Sequence, residues 1–348
     1  MRVMAYTDMP PQQYKAFNQV FMEDRAYIYS ERKMVNFLVL LKPLFRILMK
    51  VIAGMRPQSV EIEPGTVMHF WVPTQTIMES QNHDDQSMKK RKNKPGVVLL
   101  HGFAGDGFLT WMFQIATLTA DYTLYIPDLL FFGESFSKST KRSPEFQAEC
   151  VVKGLKKLGV ERFSVVGFSY GGPVGFKMVE LYPNLVRCLV LSSSVVPLSE
   201  AISRVFLENK GFKYWTTLLL PETVEGLKLL LTIVTYWKPW FPDWVYRHYL
   251  EVMVKNRKER VELLELLVCK DKGNNKPDFS QNIHLIFGDN DRILNIELAR
   301  CMKEQLGDKA TLHFIKKAGH LAQIERPFAY NSCLKKILAS LGTEGPQS

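Results

Sequence analysis

From Gly96 onward, apolar residues fall into short unbroken runs separated by longer amphipathic stretches. Residues 97–100, 122–126, 163–166, 188–191, 283–287 and 311–315 read as buried strands, and helix-like runs such as 110–119 and 147–158 lie between most of them. Continuous apolar strands alternating with helices predict an α/β fold with a mostly parallel sheet covered on both faces. Two more strand-like runs, 59–63 and 67–72, precede this series. The alternation breaks between residues 196 and 276. That stretch holds Trp215, Trp237, Trp240 and Trp244, four of the six tryptophans, and is punctuated by Pro221, Pro239 and Pro242. It reads as a helical cap, or lid, inserted after the fifth core strand of the parallel region and lying over the strand ends.

The N-terminal region has a different pattern. Residues 1–33 are polar and weakly patterned and are expected to be a poorly ordered extension. In residues 37–54 the basic residues Lys42, Arg46 and Lys50 recur every fourth position and would form one stripe on an otherwise apolar helix. Pro43 fits its first turn and Gly54 its end. The segment is too short and too charged to span a bilayer, which takes about 20 mostly apolar residues. It reads either as a membrane-surface helix or as a helix packed on the body with its basic residues in water. The polar stretch 81–94, with Lys89-Lys90-Arg91-Lys92, reads as a solvated hairpin loop rather than a targeting signal. The expected organisation is an extension (1–33), an amphipathic helix (34–57), a core (58–195 and 277–342), a cap (196–276) and a tail (343–348).

Composition narrows the function classes. Of 348 residues, 46% are hydrophobic and 23% charged, which is ordinary globular composition and excludes global disorder. The formal net charge of +10 favours anionic surfaces. No zinc-finger spacing, RNP-type aromatic motif or basic helix leading into heptads accompanies it, so nucleic acid is not an expected partner. The five cysteines are far apart and form no Cys-x-x-Cys pair, which suggests neither a zinc site nor a disulfide framework. Free thiols in a reducing compartment are expected. There is no Asn-x-Ser/Thr sequon, and the first residues lack the order of a secretory signal. The expected location is cytoplasmic, with peripheral membrane contact through residues 37–54.

The chemistry centres on Gly167-Phe168-Ser169-Tyr170-Gly171-Gly172, between a strand run and a helix-like run. A Gly-x-Ser-x-Gly in that context reads as a nucleophile elbow, a turn so tight that the flanking positions require glycine. Serine attack needs a base, a group that orients the base, and donors for the oxyanion. The base candidate is His320, in Ala318-Gly319-His320, just after the last strand. Of the other histidines, His69, His284 and His313 lie in strand runs and read as structural, His83 lies in the polar loop and His248 in the cap. The orienting acid is Asp291 or Asp289, which share the turn after strand 283–287; an aspartate in such a turn is commonly turn chemistry alone. The oxyanion donors would be the backbone N–H groups of Tyr170 and of Phe103, in the loop His101-Gly102-Phe103. His101 itself could serve only to hold that loop.

From about Gly96 to Ala339 the chain resembles an α/β-hydrolase with a helical lid. The resemblance rests on His101-Gly102-Phe103, Pro127-Asp128 with Gly133-Glu134-Ser135, Gly167 to Gly172, Gly288 to Asp291, and Gly319-His320 with Glu325-Arg326-Pro327. The chain is similar to monoacylglycerol-lipase-like and carbon–carbon-bond-hydrolase branches, and its start at Met34-Val35-Asn36 resembles a plant group of such proteins. The order Ser169, Asp291, His320 is the order of this family, and the resemblance prefers Asp291 to Asp289. It implies a serine hydrolase acting on a small hydrophobic ester through an acyl-enzyme, with no metal and no organic cofactor. A carbon–carbon-bond hydrolase acting on a diketone-like substrate and a non-catalytic small-molecule receptor are the alternatives. Two departures stand out. The loop after Asp128 reads Leu129-Leu130-Phe131-Phe132-Gly133, without the usual proline-glycine, and the oxyanion loop is His-Gly-Phe rather than His-Gly-Gly-Gly.

Overall fold

The computed structural model describes residues 36–74, 94–196, 198–268 and 279–340. The extension 1–33, Met34, the basic cluster Lys89-Lys90-Arg91-Lys92 with His83, Cys269 and the tail 343–348 lie outside the described residues. The chain divides into two compact units, Met1–Pro43 and Leu44–Ser348. The described part of the first unit, residues 36–43, opens helix α1 (Phe37–Ala53). Pro43 stands inside this helix rather than in its first turn, because the helix has already begun at Phe37. Gly54 ends it at φ +59°, a left-handed conformation that glycine adopts without strain.

The second unit is built on one sheet in the order β1-β2-β4-β3-β6-β7-β8-β9. The hairpin β1 (Met55–Glu63) and β2 (Thr66–Pro73) is antiparallel, and β2 also runs antiparallel to β4 (Thr123–Pro127). From β4 the sheet is parallel through β3 (Gly96–Leu100), β6 (Phe163–Phe168), β7 (Val186–Ser192), β8 (Asn282–Gly288) and β9 (Ala310–Ile315). The two-residue β5 (Phe136–Ser137) pairs with β2. This is the parallel sheet expected from the apolar runs.

Side chains alternate between the two faces of the sheet. Val98, Leu100 and Val165 pack with residues of α3 (Pro144–Lys157) and α4 (Gly171–Leu181). Val97, Leu99 and Val166 pack with Trp111 of α2 (Gly107–Leu118) and Tyr330 of α12 (Pro327–Ser340). A strand buried on both faces shows no polar alternation, which is why these runs read as continuous apolar stretches.

Between β7 and β8 the described residues form five helices: α5 (Glu200–Lys210), α6 (Trp215–Leu219), α7 (Val224–Val234), α8 (Asp243–Val254) and α9 (Arg257–Glu265). Residues 59–72 belong to the antiparallel hairpin, so the parallel set begins at β3 in chain order. The insert therefore follows the fourth strand of that set, not the fifth as the sequence pattern suggested. Helices α10 (Ile296–Leu306) and the short α11 (Ala322–Glu325) complete the elements that flank the site.

Candidate active site

Three loops at the C-terminal ends of parallel strands meet, as reactive groups do in open α/β sheets. The first is the turn from β6 into α4. Ser169 sits there with φ +48°, a left-handed conformation unusual for a residue with a side chain. Its neighbours hold the strain. Ser169 N donates to the Ser192 carbonyl at 2.9 Å, and the Ser169 carbonyl accepts from Gly172 N at 2.9 Å and from Ser194 Oγ at 2.8 Å. The turn is so close that a Cβ on Gly167 would lie 2.5 Å from the Gly171 carbonyl oxygen, and one on Gly171 2.6 Å from the Leu100 carbonyl oxygen. Both obstacles are backbone, so the sequence requires glycine at both places.

The second loop follows β9 and carries His320; the third follows β8 and carries Asp291. His320 Nε2 lies 3.0 Å from Ser169 Oγ, and His320 Nδ1 lies 2.9 Å from Asp291 Oδ2. A carboxylate only accepts, so Nδ1 bears the proton and Nε2 presents its lone pair to the serine hydroxyl. The other Asp291 oxygen, Oδ1, accepts the N–H groups of Ile293 and Leu294 at 2.8 and 2.9 Å. The Asp291 side chain is fully buried and that of His320 nearly so. Asp289 has a different job: its Oδ1 accepts from Asn290 Nδ2 and from Ala318 N, joining the second and third loops. The structure thus brings Ser169, His320 and Asp291 together and leaves Asp289 out of that row.

The oxyanion-loop candidates lie beside the serine. A Cβ on Gly102 would come within 3.3 Å of Ser169 Cβ. Phe103 and Tyr170 face each other edge-on with centroids 5.6 Å apart, and Phe132 packs against both. His101 is fully buried; its Nε2 accepts from Leu129 N at 2.9 Å and its Nδ1 donates to the Gly102 carbonyl at 2.7 Å. Burial holds its pKa below the ordinary histidine value, against a partial counter-effect from Asp128. Asp128 is buried as well. Burial alone would raise its carboxyl, but the hydrogen bond and charge of His69 outweigh that and hold it low. Its oxygens accept from His69 Nδ1, Gly107 N and Glu134 N. Asp128 therefore ties β2, α2 and the Leu129–Gly133 stretch to the floor of the site.

An apolar pocket opens above Ser169 and His320, lined by Phe103, Tyr170, Val195 and Leu198 from the core side and by Trp215 and Leu264 from the inserted helices, among others. Its cavity volume is only about 50 Å³, and it is open to solvent on one side. Among the described residues, no Arg or Lys lines it. The described residues contain no cluster of three or more His, Cys, Asp or Glu that could hold a metal ion.

Two contributions were not assigned from the sequence. Glu325 accepts three backbone N–H groups, from Gly319 at 2.9 Å and from Tyr236 and Trp237 at 2.6 and 3.2 Å, so its carboxylate joins the His320 turn to the insert. Tyr249, Asn256 and Arg260 of the insert reach in the opposite direction. Tyr249 donates to the Ala104 carbonyl, while Asn256 and Arg260 each donate to the Phe131 carbonyl at 3.1 Å. Phe131 stands at φ +73°, so the unusual Leu129–Gly133 loop is held in a left-handed turn by the insert. Neither role can be read from a motif, because the partners are main-chain groups, most of them far away in sequence.

Comparison with known proteins bears on the fold and the family. A 2-hydroxy-6-oxononadienedioate/2-hydroxy-6-oxononatrienedioate hydrolase of a Pseudomonas species is 26% identical over 258 residues, covering 70% of this chain and 87% of its own. Lipase 1 of Psychrobacter immobilis is 26% identical over 243 residues, covering 66% and 72%. The crystal structure of a bacterial membrane phospholipase A superposes with a TM-score of 0.70 at 21% identity, covering 96% of this chain and all of that one, which is a likeness of fold. Residues 95–327, well over half of the chain, match the family described as the alpha/beta hydrolase fold, and the chain belongs to that family.

Proposed function

We propose that the protein is a serine hydrolase that cleaves a hydrophobic carboxylic ester through an acyl-enzyme. The observation that carries this reading is the unbroken row Asp291 Oδ2–His320–Ser169 Oγ, at 2.9 and 3.0 Å, ending in an apolar pocket. Ser169 attacks the ester carbonyl while His320 Nε2 takes its proton. Asp291 holds the imidazole in the tautomer that can do so and stabilises the imidazolium. The backbone N–H groups of Phe103 and Tyr170, with the N-terminus of α4, receive the oxyanion. His320 then gives its proton to the leaving alcohol, and water resolves the acyl-enzyme by the same steps. Inserted helices α5–α9 act as the lid and supply the apolar wall over the acyl chain.

The Pseudomonas relative keeps a carbon–carbon-bond hydrolase in view. The substrate in its name is a dicarboxylate, and two carboxylates entering an apolar pocket would need cations to offset their desolvation. The described lining, apolar and without Arg or Lys, favours a neutral, apolar ester instead. Helix α1 supports contact with a lipid surface: Leu44, Ile47, Leu48, Val51 and Ile52 are exposed while Met49, on the opposite side, is buried against the body. No described helix is long and apolar enough to cross a membrane. The reading is thus of a cytoplasmic enzyme that touches membranes peripherally.

The deciding experiment compares the protein with Ser169→Ala on p-nitrophenyl esters of graded chain length, with fluorophosphonate labelling in parallel. Turnover and labelling that vanish together in the variant support the proposal. Turnover that survives Ser169→Ala sinks it, and strong labelling without turnover on any ester assigns the protein to the receptor class.

A further inference from the structure

The loop joining α7 to α8, with the first turn of α8, turns large aromatic rings outward. Trp237 is 61% exposed, Trp240 84%, Phe241 45% and Trp244 40%, whereas Trp71, Trp111 and Trp215 are buried. A single exposed ring needs no explanation, but a run of three indoles and a phenyl in eight residues is an interaction surface. These rings contribute nothing to the pocket above Ser169, whose lining does not include them.

The loop is also firmly built. The Tyr246 hydroxyl accepts from Phe241 N at 3.2 Å and donates to the Pro239 carbonyl at 3.3 Å, closing the turn from beneath. Lys228 bonds Asp243 at 2.7 Å at the start of α8. Glu325 holds Tyr236 N and Trp237 N at the other end. A display fixed in this way loses little further entropy when it docks.

Charge selects the occupant. Asp243 is paired with Lys228, while Lys238 and Arg247 are exposed beside the indoles. The chain as a whole carries +10. Indole rings interleaved with cations suit the boundary between acyl chains and anionic headgroups, where the ring sits among glycerol and ester groups and the cations meet phosphate. We propose that the loop 237–244 docks the protein on an anionic phospholipid surface. The binding stands apart from the hydrolase reading. Its consequence rests on that reading: Glu325 also accepts Gly319 N, and Leu321 N donates to the Val234 carbonyl at 3.3 Å, so the docked loop and the His320 turn move as one piece. Docking would then hold the mouth of the site at the lipid boundary.

The test uses full-length Ser169→Ala protein, in which binding is separated from hydrolysis, and vesicles of phosphatidylcholine with phosphatidylserine. Vesicles containing brominated phospholipids should quench the tryptophan emission, since only the loop indoles are exposed. Adding Trp240→Ser and Phe241→Ser should weaken vesicle binding about tenfold or more, a loss of about 1.4 kcal/mol or more. In the active background the same two substitutions should leave turnover of a short soluble ester unchanged. Absence of quenching overturns the proposal. So does binding that is insensitive to the loop substitutions but abolished by Ile47→Ser with Val51→Ser, which would assign docking to α1. A dimer in solution that the loop substitutions dissolve would identify a second copy of the chain as the occupant, and would equally overturn it. Loss of ester turnover in Ser169→Ala bears only on the hydrolase reading, and its persistence would leave the binding result standing.

Discussion

The carbonyl that His101 Nδ1 holds at 2.7 Å, that of Gly102, belongs to the same peptide unit as the N–H of Phe103. In a trans peptide the two groups point in opposite directions, so fixing the carbonyl against the buried imidazole fixes the direction of the N–H. His101 Nε2 is itself fixed by Leu129 N at 2.9 Å, which sets the ring and its tautomer. In a serine hydrolase this makes His101 a positioning residue for one of the two oxyanion donors.

His101→Phe should therefore lower kcat by about 10- to 100-fold, approaching the cost of a lost oxyanion donor, while KM for a short ester changes little. It should also cost about 1–3 kcal/mol of stability, because the Gly102 carbonyl and Leu129 N lose their buried partner. Steady-state kinetics and denaturant unfolding check the two effects separately. A variant that loses stability but retains kcat would show that His101 only packs the loop.

Asp291 and Asp289 share one turn but hold different partners, His320 Nδ1 and Ala318 N. Asp291→Asn presents an amide to His320 Nδ1 and favours the wrong tautomer, so kcat should fall by about 10³- to 10⁴-fold. Asp289→Asn disturbs only its contacts with Ala318 N and Asn290 and should change kcat by less than about threefold at a cost of roughly 1 kcal/mol in stability. Single-turnover acylation of both variants provides the check. Equal losses would mean that the turn as a whole, not Asp291, supports the imidazole.

This pair also marks where the sequence stops being informative. Ser169 and His320 were legible because their surroundings are demanding: a backbone approach of 2.5 Å tolerates only glycine at position 167, and each apolar strand points to the loop that follows it. The choice between two aspartates two residues apart depends on which carboxylate faces the imidazole, and both satisfy the same turn chemistry; only resemblance to the family favoured Asp291. The start of β1 was hidden for another reason. The strand-like run began at residue 59, yet β1 starts at Met55 and contains Pro57, because it is at the edge of the sheet, where a missing N–H is tolerated. The carboxylate of Glu325 stood within a recognisable Glu-Arg-Pro, but its partners are backbone N–H groups 88 and 89 residues away in sequence.

The histidines His284 and His313, on neighbouring strands β8 and β9, stack with 5.6 Å between centroids and 3.4 Å between Nδ1 and Nε2. Burial and then the neighbouring imidazole lower His284 to about 4, and burial lowers His313. The folded state thus resists protons that the unfolded chain takes up near pH 6.5. Stability should be full above that pH and should decline as the pH falls from about 6.5 toward 4, where the unfolded state binds more protons. Partial exposure limits the loss to about 1–2 kcal/mol. Melting temperatures between pH 7.5 and 4.5 should fall less in His313→Gln than in the unsubstituted protein; equal slopes would place the acid sensitivity elsewhere.

Glu325 joins the His320 turn to the insert through a carboxylate that accepts on both oxygens: Gly319 N on Oε1, Tyr236 N and Trp237 N on Oε2. An amide at this position has one acceptor oxygen and a pair of donors, so Glu325→Gln must set an NH₂ against a backbone N–H on one side or the other. The expected cost is about 1–3 kcal/mol of local stability, concentrated where the insert meets the turn. Because Gly319 is the residue before His320, misplacement should appear in the chemistry: kcat on a short soluble ester and the rate of fluorophosphonate labelling should fall together, by about tenfold. Glu325→Asp keeps the charge and both acceptors but shortens the reach, and should fall between the two. If labelling by Glu325→Gln stays within about twofold of the unsubstituted protein while its melting temperature drops, the carboxylate braces the insert and leaves the imidazole where it was.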